Sequence, residues 1–412
     1  MALLVQKYGG SSLATPRQIR EIAKQIARAR SEGTQMVIVV SARGDTTDDL
    51  IDLAREVHPE PSQAGREYDA LLATGEKESA ALLALALLAQ GVAAISMTGA
   101  QAGIQTDSVH RKARICGFDP APIRRQLAQG KIVIVAGFQG VDREGQITTL
   151  GRGGSDITAA ALAAGLGAER CEFFKDVPGF HTADPRHVPT AAVLKALCYD
   201  EAMELGSVGA QIIHPRAVEL ARRYRIPLLI RQTLSEAPGT WIQEVAPMEN
   251  IHGIRGVVAD TRVVKISVIG VPDRPGVAAA LFVPLGQARI KTDMIVQNIS
   301  HEGLSDISFV VAQDEAQEAL AIIQEKARSL GAVEVQFDPE IARISIVGGG
   351  IASHPEIAGE MFAALASVGI NLEMISTSEI KISCIVRQEH AQKALQILHD
   401  RFELGKGDAI EN

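Results

Sequence analysis

Aromatic residues are scarce in this chain: one Trp, four Tyr and ten Phe make up only 4% of its 412 residues. The core must therefore come from Ala, Leu, Ile and Val, within an ordinary soluble-globular hydrophobic share of 46%. Cationic excess is lacking too. A net charge of −8 offers no broad field for polyanions and disfavours a nucleic-acid role. No apolar run approaches the roughly twenty residues that span a bilayer; the longest, Ala80 to Ala89, has ten. Met1 to Lys7 holds neither the apolar segment of a signal peptide nor a small-residue cleavage site. Cys116, Cys171, Cys198 and Cys384 stand apart, without the paired spacing of zinc or redox sites, so structural thiols in a reducing cytoplasm are expected. The length exceeds one domain of roughly 100–200 residues.

What is present falls into two regions. Up to about residue 235, short β-branched runs alternate with Ala/Leu-rich amphipathic runs. Strands are expected at Leu3–Gln6, Met36–Val40, Val92–Met97, Lys131–Ala136, Cys171–Phe174 and Pro227–Ile230. Helices are expected at Pro16–Arg30, Lys77–Gln90, Pro122–Gln129, Asp156–Gly165 and Pro215–Tyr224. Thr15-Pro16-Arg17-Gln18 has the form of a helix start, with a capping Thr, Pro at the first position and Gln reaching back. Such alternation implies an α/β domain whose mostly parallel sheet is covered on both faces and binds ligands beyond its strand ends. Around Pro247-Met248-Glu249-Asn250 the pattern breaks into a linker, and an internal repeat follows. Val263 to Gly270 matches Ile341 to Gly348, and Pro275 to Met294 matches Pro355 to Met374. Each copy reads strand, loop, helix, strand, strand, helix, a split βαβ unit. The expected division is a catalytic domain over 1–240, a linker over 241–262, and modules over 263–338 and 339–412.

Several strand-end loops carry candidate chemistry. In Lys7-Tyr8-Gly9-Gly10-Ser11-Ser12 the glycines allow close backbone approach to an anion and the lysine adds a charge, although a plain tight turn explains the run equally well. Leu150-Gly-Arg152-Gly153-Gly154-Ser155-Asp156 puts a guanidinium, a hydroxyl and a carboxylate before an Ala-rich helix, which favours function over a structural turn. Ser41 to Thr47 and Asp176 to Arg186 also follow strands; Glu76 is expected at a helix start, where a carboxylate is favourable anyway. His187, between Pro185 and Pro189, and His214, before Pro215, read as structural. No His–Cys or His–Ser pair stands out, which suits phosphoryl transfer, where positioning and charge neutralisation dominate.

Lys7 to Ser12, Ser41 to Asp48, Val135 to Gly140, Thr148 to Asp156 and Thr182 to Arg186 resemble, in order, the signatures of aspartate kinases. The repeat resembles their paired ACT modules through Pro272 to Gly276, Val296-Gln297-Asn298 and Ile375 to Glu379. The resemblance implies an amino-acid kinase three-layer sandwich followed by two ferredoxin-like ACT modules. It also implies phosphorylation of the L-aspartate side chain by Mg2+-ATP, feeding lysine, threonine and methionine synthesis under end-product control. On the same ground Lys7, Asp156 and Lys175 are catalytic candidates. Lys7, Tyr8, Gly9, Gly10, Lys175, Asp176, His181, Asp184, Arg186 and Gln211 fall on the ATP side. Ser41, Thr47, Glu76, Arg152, Gly153, Gly154 and Ser155 fall on the aspartate side. Asp273, Gln297, Asn298 and Asn371 would bind lysine, threonine or both. A homo-oligomer is implied, or an α2β2 assembly in which Met248 starts a shorter ACT subunit.

The chain departs from that family pattern in places. Arg43 stands where Met is usual, His181 where Tyr is usual, and Ala73-Thr74 replaces Thr-Ala. Lys175 takes the place of a small hydroxyl residue, and Gln211 that of a cation near the phosphates. Two rivals remain open: a related kinase for glutamate or another small acid, and a non-catalytic amino-acid sensor, for which Gln211 is the only support.

Overall fold

The structure, a computed structural model, describes residues 2–31, 33–244, 253–299 and 303–406. The expected linker Pro247–Asn250, with Met248, lies outside the described residues. Two compact units form: one from the described residues within Met1–Phe180 and Val193–Pro247, the other from those within His181–Ala192 and Met248–Glu411. Relative to one boundary near residue 240, the difference is that His181–Ala192 belongs with the second unit.

The first unit begins β1 (Leu3–Tyr8), α1 (Pro16–Ser31), β2 (Gln35–Val40), α2 (Thr46–Val57), α3 (Gly65–Leu88), β3 (Ala94–Met97), β4 (Ile104–Thr106), β5 (Ile115–Phe118) and α4 (Ala121–Ala128). It continues β6 (Ile132–Ala136), β7 (Gln139–Val141), β8 (Ile147–Thr149), α5 (Gly154–Leu166), β9 (Arg170–Lys175), β10 (Ala196–Leu197), α6 (Tyr199–Ser207), α7 (Pro215–Tyr224), β11 (Leu228–Gln232) and β12 (Thr240–Ile242). Eight strands make one sheet in the order β10-β12-β11-β9-β1-β2-β6-β3. Every neighbouring pair is parallel except β11 with β12. A second sheet, β5-β4-β7-β8, escapes sequence reading because its strands of three or four residues are too short to show a period. Helix α1 starts as expected: the Thr15 N–H donates to Gln18 Oε1 at 3.0 Å, and the Gln18 N–H to Thr15 Oγ1 at 3.3 Å. Helix α3 begins at Gly65 rather than Lys77, which puts Glu76 in mid-helix.

Alternation along the central strands decides what reaches the site. Tyr8, Met36, Ile38, Val40, Ile132, Ile134 and Phe174 pack with α1 and α3 in one core layer. Successive strand residues point to opposite faces, so Lys7 and Lys175 project to the other side, where α5 packs.

In the second unit β13 (Gly256–Asp260) precedes β14 (Val263–Pro272), α8 (Val277–Gln287), β15 (Thr292–Ile299), β16 (Leu304–Ala312), α9 (Ala316–Leu330) and β17 (Glu334–Asp338). Then come β18 (Ile341–Val347), α10 (Glu356–Ser367), β19 (Met374–Ser378), β20 (Lys381–Arg387) and α11 (Ala391–Arg401). The sheets are β15-β16-β14-β17 and β13-β18-β20-β19. Thus β13, expected as linker, completes the second module's sheet in the place β17 fills in the first, and module 1 is inserted into module 2. Ala183 and Val188 belong to the module 2 core. The Val257 N–H donates to the Thr182 carbonyl at 2.8 Å, and Thr182 Oγ1 lies 3.1 Å from Nε2 of buried His399. The modules meet over Val263, Met294, Val310, Ile341, Met374 and Ile385. Ion pairs flank that seam: Arg343 to Asp293 at 2.6 Å, Arg387 to Glu373 at 2.9 Å, and Lys265 to Glu373.

Candidate active site

The rim formed by the carboxyl ends of β9, β1, β2 and β6 gathers most of the candidates. Lys7 is the penultimate residue of β1, within the strand rather than on the loop after it. Asp156 lies in the first turn of α5, where the helix N-terminus favours a carboxylate. Their side chains pair at 2.7 Å, and both are buried. Lys175, the last residue of β9, brings its Nζ to 3.2 and 3.3 Å from the same carboxylate. The backbone N–H of His214 approaches Asp156 at 3.3 Å, while its ring accepts from the Arg216 N–H and caps α7, the structural role expected of it.

Two ammonium groups thus share one carboxylate, and the cluster carries a net positive charge. Burial by itself would raise the Asp156 carboxyl. The charges and hydrogen bonds of Lys175 and Lys7 overcome this and hold it well below the ordinary carboxylate range. Burial pulls Lys175 down to about 8, against the attraction of Asp156 and with the repulsion of Lys7.

Glu76 comes to the same region from α3. Its Oε1 accepts from the Ala42 N–H at 3.1 Å; its Oε2 is buried with no hydrogen-bond partner among the described residues. Burial raises this carboxyl to about 7, against the Ala42 N–H and the charge of Lys7. Gly10 packs so tightly on the loop after β2 that a Cβ would meet the Ala42 carbonyl at 2.6 Å. The Gly9-Gly10 loop leads into one 3-10 turn, Ser11–Leu13, and not directly into α1. Ser41 donates its N–H to the Tyr8 carbonyl, and Thr47 sits in the first turn of α2. Gly153 caps α5, with Gly154 and buried Ser155 opening its first turn.

Other expectations land elsewhere. The Tyr8 ring stacks on Phe174 at 4.6 Å and is fully buried, so its side chain belongs to the core and not to a nucleotide pocket. Gln211 and Asp176 are exposed. His181, Asp184 and Arg186 lie in the second unit, with Asp184 and Arg186 paired to each other at 2.6 Å. Asp273, Gln297, Asn298 and Asn371 are exposed on the modules.

Residues 2–232 match the amino acid kinase family, and residues 266–326 and 344–402 match the ACT domain. An aspartokinase of Corynebacterium efficiens is 45% identical over 411 residues, covering 98% of this chain and 97% of the relative. One of Thermus thermophilus is 46% identical over 408 residues, covering 98% of this chain and 100% of the relative. The chain belongs to the aspartokinase family. Among solved structures, Synechocystis aspartate kinase is 43% identical with a TM-score of 0.54, covering 98% of this chain and 70% of that one. Escherichia coli aspartokinase III with aspartate and ADP superposes with a TM-score of 0.81, covering 97% of this chain and 100% of that one; at 23% identity the likeness concerns the fold alone.

As a member of that family the chain is a kinase with an allosteric ACT region. Two residues outside the sequence candidates bond the segments on either side of Arg152's loop. Asp69, seven residues before Glu76 on α3, is fully buried. Arg216 on α7 bonds the Leu150 and Ala113 carbonyls. A carboxylate within the apolar stretch before Glu76 was the available signal; Arg216 had none.

Proposed function

We propose that the first unit transfers the γ-phosphoryl group of ATP to the side-chain carboxylate of L-aspartate, giving 4-phospho-L-aspartate. The observation that carries this reading is the meeting, on one rim, of the Lys7–Asp156–Lys175 cluster with the unpartnered Glu76 oxygen. An aspartate carboxylate is ionised at neutral pH and needs no general base. The obstacle is repulsion between that anion and the triphosphate, which fixed cations offset. Asp156 holds both ammonium groups in place, and Lys7 with Lys175 meets the charge on the transferring group. Gly9 and Gly10 admit the phosphates. Glu76 takes the substrate ammonium, Arg152 a carboxylate, and Ser41, Thr47, Gly153, Gly154 and Ser155 the remaining polar groups. Asp176, His181, Asp184, Arg186 and Gln211 are assigned to the nucleotide side on family resemblance.

No group of three or more His, Cys, Asp or Glu among the described residues could hold a metal ion. On family resemblance Mg2+ would arrive with the nucleotide, held mainly by its phosphates, as such ions usually are. Bound there, it would neutralise phosphate charge.

The second unit, on this reading, senses lysine, threonine or both through Asp273, Gln297, Asn298 and Asn371, and places the enzyme first in lysine, threonine and methionine synthesis. Strands β15 and β19 are edges of their sheets, ready to pair in a homo-oligomer. The test is ADP release with ATP and Mg2+, using aspartate or glutamate as acceptor, with and without lysine and threonine. Release with aspartate but not glutamate, and kinetics altered by an effector, is expected. Release with glutamate alone, or with neither acid, overturns the substrate assignment; kinetics indifferent to both effectors overturn the sensing role.

A further inference from the structure

The loop that carries Arg152 has little in its composition to hold it still. Gly151 and Gly153 both sit at positive φ, 77° and 69°, and glycine backbone is costly to order. Yet the base of this loop is gripped from two sides. On one side Asp69 accepts hydrogen bonds from the Arg111 N–H at 3.0 and 3.1 Å, the Thr149 N–H at 2.9 Å and the Thr149 hydroxyl at 2.7 Å. The His110 ring lies 2.9 Å from the same carboxylate. On the other side the Arg216 guanidinium donates to the Leu150 carbonyl at 3.2 Å and the Ala113 carbonyl at 3.3 Å. Between them the Ala113 N–H donates to the Thr149 carbonyl at 2.9 Å. The packing is close: a Cβ on Gly151 would come within 2.9 Å of the Arg111 carbonyl.

We infer that Asp69 and Arg216 are positioning residues for substrate binding: together they clamp residues 111–113 against 149–150 and so aim Arg152. The inference rests on the reading of Arg152 as the ligand of the aspartate carboxylate. A charged residue on each side suits the task, because ionised groups make the stronger hydrogen bonds to backbone N–H and carbonyl groups. A long side chain on a glycine-flanked loop binds well only when its base is already ordered. Neither clamp residue needs to touch substrate.

The test is steady-state kinetics on the full chain for Asp69→Asn, Arg216→Lys, Thr149→Val and Arg152→Ala, and for Asp69→Asn combined with Arg152→Ala. Asp69→Asn and Arg216→Lys should each raise KM for aspartate about tenfold while KM for ATP stays within about twofold, the split expected when only one substrate's geometry is lost. If Asp69 acts through Arg152, then Asp69→Asn adds less than about twofold in the Arg152→Ala background. Should Asp69→Asn fail to fold, Thr149→Val carries the test with a smaller rise, about threefold. Folded clamp variants with unchanged KM for aspartate, or with both KM values raised alike, overturn the clamp, as does full multiplication of the two effects. Arg152→Ala with normal KM for aspartate overturns the assignment of Arg152 and the clamp together. Arg152→Ala with raised KM beside inert clamp variants overturns the clamp alone.

Discussion

Glu76 keeps a carboxylate oxygen buried without a partner among the described residues, a costly arrangement unless a ligand completes it. Its carboxyl is raised to about 7 from 4.5, a difference worth roughly 3 kcal/mol. Because the folded value is the higher, the stability this group contributes is fully present below about 4.5 and is lost as pH rises through about 7. Glu76→Gln should therefore raise the Tm of the unliganded protein at pH 8 and hardly change it at pH 5. KM for aspartate in the wild type should climb as pH falls from 7 to 5, since the ammonium needs an ionised Glu76. A flat KM over that range removes Glu76 from the substrate site. Lys7→Ala should cost more than about tenfold in kcat, or 1.4 kcal/mol, while Lys175 keeps Asp156 paired and the fold intact. Lys175 permits a sharper experiment: its amine rests on the Asp156 carboxylate beside Lys7, and on the proposed reading it compensates for the cation that family resemblance expects at position 211. Lys175→Thr should cripple kcat, and Lys175→Thr with Gln211→Lys should recover much of it. An unchanged kcat and KM for ATP in Lys175→Thr would end the compensation idea.

At the scale of elements, α3 carries both Asp69 and Glu76, two turns apart, so one helix holds the loop base and the proposed ammonium ligand. The segment His181–Ala192 has the opposite character. It leaves the catalytic unit after Phe180, contributes Ala183 and Val188 to the module 2 core, and rejoins at Val193. Asp184 and Arg186, assigned to the nucleotide side, are thus carried by the regulatory unit.

For the whole molecule, the insertion of module 1 into module 2 makes the two modules one folding unit. Strand β13 covers the outer edge of β18 and buries Val257 completely. A fragment of residues 248–412 should therefore fold, whereas one of residues 263–412 bares that edge and should melt several degrees lower or aggregate. The longer fragment still lacks Ala183 and Val188, so adding residues 181–192 as a peptide should raise its Tm. Equal melting of both fragments would deny β13 its structural role.

Much of this was readable from residue order. Alternating β-branched and Ala/Leu-rich runs determined a parallel α/β sheet, a capping Thr15 determined where α1 starts, and self-similarity determined two like modules, because each signal is local. Resemblance named most of the rim residues. Even the opposite fates of Lys7 and Tyr8 follow from strand alternation once the face covered by α5 is known. That face is a property of the packed sheet, as are the meeting of Lys7 and Lys175 on Asp156, the Asp69 and Arg216 clamp, and the capture of β13 and His181–Ala192 by module 2. Each joins residues distant in the chain whose contacts exist only after packing. Local spacing carries no record of such contacts, so only the tertiary structure decided them.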